Sequence, residues 1–197
     1  MFKAVLFDLD NTLIDRNQAF DRCLHDEFCD PATRAALRAL DAGGHGERLP
    51  LLEAWRRCGG RDLTVAQLGL EIALKIQPVP ELAATLQNVA QRFAIGLVSN
   101  GGSRTQRAKL QRAGLDLVFS PDRIWISEEV GFSKPDARLY ALICHRLGTS
   151  AGDCLFVGDH ELHDFAGPRL AGMRARQAES VLDSESVTRI LREEGFG

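Results

Sequence analysis

The stretch KAVLFDLDNTLID, Lys3 to Asp15, decides how the rest of the chain is read. Four apolar residues, AVLF at 4–7, run straight into Asp8 and Asp10 with Leu9 between them. A run this short, without alternation, does not fit a buried helix; it fits a strand covered on both faces, as in a parallel sheet. Carboxylates at i and i+2 on the end of such a strand are costly to bury unless something answers their charge. Taken alone, the pair is also compatible with a surface turn, so the rest of the sequence must decide.

Two further runs have the same character, AIGLV at 94–98 and CLFV at 154–157. RIWIS (123–127) and MRARQ (173–177) are weaker candidates for a fourth and a fifth strand. Helical patterns lie between them. In PELAATLQNVAQRF, Leu82, Leu86, Val89, Ala90 and Phe93 make one apolar stripe, with Pro80 in the first turn. TQRAKLQRAG (105–114) ends on a glycine stop, and DARLYALICHRLG (136–148) offers Asp136 as N-cap and Gly148 as C-terminal stop. A last amphipathic helix is expected near 184–194. This alternation predicts an α/β fold, a Rossmann-like doubly wound parallel sheet. From about Asp15 to Gln77 no strand pattern occurs; helices are expected at 18–29, 32–42, 48–58 and 65–76, broken by GGHGE and CGGRD. The predicted organisation is a core of residues 1–14 and 79–197 with a small all-helical insert, 15–78, after the first strand.

Composition narrows the class. A formal net charge of -3 argues against a nucleic-acid partner, which a basic excess would signal. Five cysteines, an odd number without CxxC spacing, do not make a disulfide framework and suit reduced thiols in a cytoplasmic protein. The absence of an 18-residue apolar run predicts no membrane span, and the N-terminus lacks the pattern of a signal peptide. Cys58 and Cys154 read as packing residues, and Arg16, Arg56, Arg57 and Arg61 as solvated surface.

In open α/β sheets, ligands bind at the carboxyl ends of the strands. There the three strong strands deliver Asp8 and Asp10, then Ser99, Asn100 and Gly101, then Asp159 followed by Asp164. Lys134 stands in GFSKPD just before a helix. Several carboxylates in one place require a cation, and an all-oxygen set suits Mg²⁺. Ser99, Asn100 and the amides of Gly101 and Gly102 are donors suited to phosphate oxygens, with Lys134 adding positive charge. One aspartate can then attack phosphorus while its neighbour carries a proton. HELH (160–163) is one residue shorter than the H-E-x-x-H of zinc proteases and follows a strand, so a zinc reading is set aside.

Four motifs in this order, FDLDNTL, LVSNG, SKPD and VGDHELHD, resemble the haloacid dehalogenase superfamily, in its phosphatase branch with a helical C1-type cap after the first strand. The resemblance covers Phe2–Leu13 and 80–175. SNGGSRTQRAKLQRAGL and ISEEVGFSKPDARLY are similar to the nucleotidase and sugar-phosphate phosphatase group. It implies Mg²⁺-dependent hydrolysis of a small phosphomonoester (a nucleotide, sugar phosphate or phosphoglycolate-like molecule) through an aspartyl-phosphate. By that resemblance Asp8 is the nucleophile and a metal ligand, and Asp10 is the general acid and base with its backbone carbonyl on the metal. Ser99 and Asn100, with Lys134, hold the phosphate; Asp159 is a direct metal ligand; Asp164 acts through water or by orienting Lys134. Dehalogenase members lack the second aspartate, so Asp10 favours a phosphatase. Lys75, the only cap lysine, lacks the context of a Schiff-base lysine. Asn11 stands where glycine is frequent and Pro168 where alanine is usual, both tolerable for their backbone roles. A phosphomutase of the same fold and a non-catalytic phosphate-binding protein remain the alternatives.

Overall fold

The computed structural model describes residues 3–195, so Phe2 and the two outermost ends of the expected core lie outside the described residues. Strand β1 (Ala4–Phe7) is followed by five helices: α1 (Arg16–Glu27), α2 (Pro31–Asp41), α3 (Arg48–Arg57), α4 (Val65–Lys75) and α5 (Pro80–Ala90). Then come β2 (Ala94–Ser99), α6 (Ser103–Ala113), β3 (Ile124–Ile126), a short α7 (Ser127–Val130), α8 (Ala137–Leu147) and β4 (Cys154–Gly158). The chain finishes with α9 (Gly167–Leu170), β5 (Arg174–Gln177) and α10 (Ser184–Glu193). All pairings are parallel, in the order β3-β2-β1-β4-β5. The fourth and fifth strands expected from RIWIS and MRARQ form the two edges.

The apolar runs divide between the two faces as period-two geometry requires. Val5, Phe7, Ile95, Leu97, Leu155 and Val157 pack on one side with Leu82 and Leu86 of α5, Leu110 of α6 and Ile190 of α10. Ala4, Leu6, Val98, Cys154 and Phe156 pack on the other with Leu139, Tyr140 and Ile143 of α8. Helices therefore cover both faces, which is why the central strands contain no polar interruption. The first cluster also continues into the helices after β1 through Phe20, Leu24, Leu51, Trp55, Leu68 and Ile72.

Local signals set the helix starts. Asp15 accepts from the Gln18 amide, so α1 begins two residues earlier than the apolar pattern suggests. Thr64 and Gln67 form a capping box on α4, and Asp136 and Gly148 (φ 61°) bound α8 as expected. Cys58 is exposed rather than packed, because it follows the last turn of α3. Among the described residues no helix is long and apolar enough to cross a membrane.

The chain winds β1→β2→β3 in one direction and then returns to place β4 on the opposite side of β1. The topological switch point lies between β1 and β4, where open sheets leave a crevice at the strands' carboxyl ends. Asp8 and Asp159 leave the sheet on the two sides of that crevice.

Candidate active site

Asp8 continues the ladder, its N–H donating to the Val157 carbonyl at 2.9 Å, while its carboxylate emerges at the sheet edge. Lys134 Nζ bridges two carboxylates, at 2.5 Å from Asp8 Oδ1 and 2.6 Å from Asp164 Oδ1. All three side chains are buried. Lys134 reaches this position because Asn100 clamps its backbone. The Lys134 N–H donates to Asn100 Oδ1 (2.8 Å), and Asn100 Nδ2 donates to the Lys134 carbonyl (2.9 Å). Asp164 lies inside a π-helical turn, Glu161–Ala166, and not at an N-cap. A Cβ on Gly158 would stand 2.5 Å from the Asp164 side chain, so only glycine at the end of β4 lets that carboxylate lie against the sheet. The remaining Asp164 oxygen accepts from the His160 N–H at 3.1 Å. The Asp159 N–H donates to Thr12 Oγ1 at 3.1 Å, which ties the β4 loop to the turn after β1.

Carboxylate oxygens of Asp8, Asp159 and Asp164 all lie within 4.8 Å of one another. Burial pushes the Asp8 carboxyl up to about 7, with Lys134 drawing it back and Asp164 raising it further. Burial, reinforced by Asp164, also raises Asp159. Burial opposes the charge on Lys134, but Asp8 and Asp164 hold its ammonium well above the ordinary lysine range. One ammonium among three carboxylates leaves a negative excess, and the donors are hard oxygens, a set that suits a hard divalent cation. Asp8 and Asp159 have oxygens to offer it, whereas both oxygens of Asp164 are already engaged by Lys134 and His160.

The Asp10 carboxylate is not part of that group. Asn11 takes a left-handed conformation (φ 59°), and Asp10 turns toward α6. Lys109 Nζ sits 2.8 and 2.7 Å from its two oxygens, and Gln106 Nε2 donates to it at 2.9 Å. Gln106 Nε2 also donates to Ser99 Oγ at 2.6 Å, which leaves the Ser99 O–H free to donate. Burial alone would raise Asp10, but Lys109 and Gln106 outweigh it and hold the carboxyl below the ordinary range. Sequence reading missed both partners. Their signal was present: Gln106 and Lys109 share the buried face of α6 with Leu110 and Ala113, two polar residues at core positions of one helix. Replacing Asp10 by Asn should strand the Lys109 ammonium and cost about 3 kcal/mol, the low end for a broken buried pair because Asp10 keeps some solvent contact. Lys109→Met added to Asp10→Asn should recover that loss, as read by urea unfolding of the single and double variants.

These groups line one cavity of about 430 Å³, which contains every expected site residue: Asp8, Asp10, Ser99, Asn100, Gly101, Lys134, Asp159 and Asp164. Two roles differ from expectation. The Gly101 amide donates to Ser127 Oγ at 2.9 Å, so this donor is spent on the α7 turn rather than facing the cavity. The Asn100 side chain is spent on Lys134. The opposite wall comes from the helices after β1, with Arg16, His45, Arg48, Leu68 and Ile72. Arg16 is buried and paired bidentately with Asp41, not exposed as expected; the same Asp41 accepts from Arg48 at 2.7 Å. An i-to-partner spacing of this length carries no local sequence signal.

The chain is similar to several known proteins. A glyceraldehyde 3-phosphate phosphatase of Methanothermobacter thermautotrophicus is 30% identical over 92% of this chain and 88% of its own. Its counterpart in Methanopyrus kandleri is 28% identical over 88% of this chain and 82% of its own. A phosphoserine phosphatase of Thermus thermophilus is 41% identical over a shorter region, 49% of this chain and 38% of its own. Among solved structures, the HAD-hydrolase YfnB of Bacillus subtilis, in a magnesium-bound crystal form, superposes with a TM-score of 0.74 at 22% identity, covering 97% of this chain and 99% of that one. At that identity it shows the fold, the same parallel sheet with flanking helices. The family model described as haloacid dehalogenase-like hydrolase matches residues 2–172, and the chain belongs to that family of hydrolases.

Proposed function

We propose that the chain is a Mg²⁺-dependent phosphatase that hydrolyses a small phosphomonoester through an aspartyl-phosphate on Asp8. The observation that carries this reading is the convergence of Asp8, Lys134 and Asp159 at the carboxyl edges of β1 and β4, under one cavity. It acts as a hydrolase on phosphoric monoesters. Residues 15–78 form a helical cap over a core of residues 1–14 and 79–197, and the cap wall of the cavity excludes bulk water from the reaction. Relatives matched over most of their length are named for glyceraldehyde 3-phosphate or ribulose 1,5-bisphosphate, which supports a short, polar sugar or triose phosphate as the first substrate to try. Five free cysteines support a reducing, cytoplasmic setting.

The residues divide the work. Lys134 and the Ser99 hydroxyl hold the phosphoryl oxygens, and an Asp8 oxygen attacks phosphorus in line with the departing ester oxygen. The P–O bond to the alcohol breaks, and the leaving oxygen takes a proton from Asp10, whose carboxyl is ionised beside Lys109 at rest and takes up that proton from solvent when substrate binding draws it away from Lys109. A water that gives its proton to Asp10 then attacks the same phosphorus, releasing inorganic phosphate and restoring the Asp8 carboxylate. Asp10 must exchange its bond to Lys109 for the substrate, so binding and acid delivery are linked. Asp8 and Asp159, with the Asp10 backbone carbonyl, would hold Mg²⁺, which when bound supplies the positive charge that three carboxylates and a phosphoryl group require.

Hydrolysis of p-nitrophenyl phosphate and of a panel of three-carbon, sugar and nucleoside phosphates tests this. Turnover is expected with Mg²⁺, lost with EDTA and restored by added Mg²⁺. Turnover that persists in EDTA, or none across the panel, overturns it.

A further inference from the structure

HELH (160–163) has one function in the site described, the Asp164 contact of the His160 amide, and its imidazoles have none. His45, in the turn between α2 and α3, completes a cluster with them. The His45 and His160 ring centroids are 4.1 Å apart, His160 and His163 stack at 4.1 Å, and His45 and His163 are 5.7 Å apart. One ring nitrogen from each lies within 4.8 Å of the others. Among the described residues, only one ring nitrogen in the cluster is used: His160 Nδ1 accepts the His163 N–H, at a long 3.2 Å. Three imidazoles pressed together, with no side-chain partner of opposite charge in hydrogen-bond contact, gain little from hydrophobic packing that apolar rings would not supply better.

We propose that His45, His160 and His163 form a second metal site, for a borderline-soft divalent ion of the zinc and cobalt class, which ties the cap turn at residue 45 to the loop after β4. Three nitrogen donors select such ions over Mg²⁺, whose site lies on the oxygens of Asp8 and Asp159. A tetrahedral ion with bonds of about 2.0–2.1 Å sets its nitrogens roughly 3.3 Å apart, inside the 4.8 Å within which these nitrogens lie. His45 is exposed on a glycine-flanked turn, so its side chain is free to adjust to an ion. A neutral imidazole has one lone pair, so ligation by His160 exchanges its weak bond from the His163 amide for the metal. Three protein ligands leave a fourth position for water or an anion, in a cluster whose His45 and His163 line the cavity.

The test is Co²⁺ binding to the full chain in excess Mg²⁺, followed by the visible absorption of the ion and by the bound stoichiometry after dialysis. One Co²⁺ per chain with a tetrahedral-type spectrum is expected, displaced by Zn²⁺. His45→Ala and His163→Gln should each weaken it by at least the roughly 10–100-fold that loss of a metal's supporting partner alone costs. Circular dichroism and a cooperative urea unfolding transition establish that both variants are folded. Asp8→Asn should bind Co²⁺ as the parent does, so that failure of the phosphatase reading and failure of this site are separable. Absence of Co²⁺ binding, or binding that the histidine variants leave intact, overturns the site.

Discussion

Asp8→Asn is expected to lower phosphatase turnover by on the order of 10⁴-fold or more, the scale on which removal of an activated nucleophile is felt. The same substitution should raise the thermal midpoint of the Mg²⁺-free protein. The two effects have one cause. Burial holds the Asp8 carboxyl at about 7, so its charged form is disfavoured by the fold in the absence of a cation. A carboxyl whose pKa is raised on folding binds its proton more tightly in the native state. Its contribution to stability is therefore complete below the ordinary carboxylate range, near 4, and is lost as pH rises through about 7. Thermal melts of the parent in EDTA should show this fall, melts of Asp8→Asn should show less of it, and saturating Mg²⁺ should suppress it in the parent. A parent and variant with parallel pH profiles in EDTA, or a variant with parental turnover, would contradict the assignment of Asp8.

Lys134→Met should be harmful in both respects. The ammonium is shared by Asp8 and Asp164, and without it two buried carboxylates face each other with no compensating charge. Breaking a buried pair by deleting one partner costs about 3–5 kcal/mol, which for a chain of this size lowers the melting midpoint by roughly 6–20 °C. Loss of a preorganised positive group at a transferring phosphoryl should also slow turnover about 10²–10³-fold. When Asp8→Asn is combined with Lys134→Met, the stability loss should shrink by more than the gain that Asp8→Asn gives alone, because one of the stranded charges is then gone. Turnover should not return in the double variant. Strict additivity of the two single effects in this cycle would mean that the Lys134–Asp8 contact does not set the energy of the site.

Much of the arrangement is legible in the chain. Apolar runs of four or five residues without alternation specify strands buried on both faces, since only a parallel sheet flanked by helices buries them that way. Asp136, Gly114 and Gly148 mark helix ends because capping is a local interaction between residues a few positions apart. Asp8, Ser99 and Asp159 could be placed at one crevice from sequence because each ends or directly follows its strand, and strand ends in an open sheet face one crevice.

Other features required the folded chain. The Asn100 clamp on Lys134, the turn of Asp10 toward Lys109 and the burial of Arg16 against Asp41 all join residues distant in sequence. Charge alone placed Arg16 on the surface, whereas a bidentate carboxylate partner permits its burial. The Gly101 amide looked available because nothing nearby in sequence claims it, yet packing of α7 against the β2 loop brings Ser127 Oγ to it. By itself, the sequence determined the strands, the helix boundaries and the family of chemistry, because hydrophobic periodicity, capping and motif order are written in neighbouring residues. The tertiary structure alone decided which polar groups meet, for such pairings depend on how elements pack, and so it settled which donors remain free to act and which are spent holding others in place.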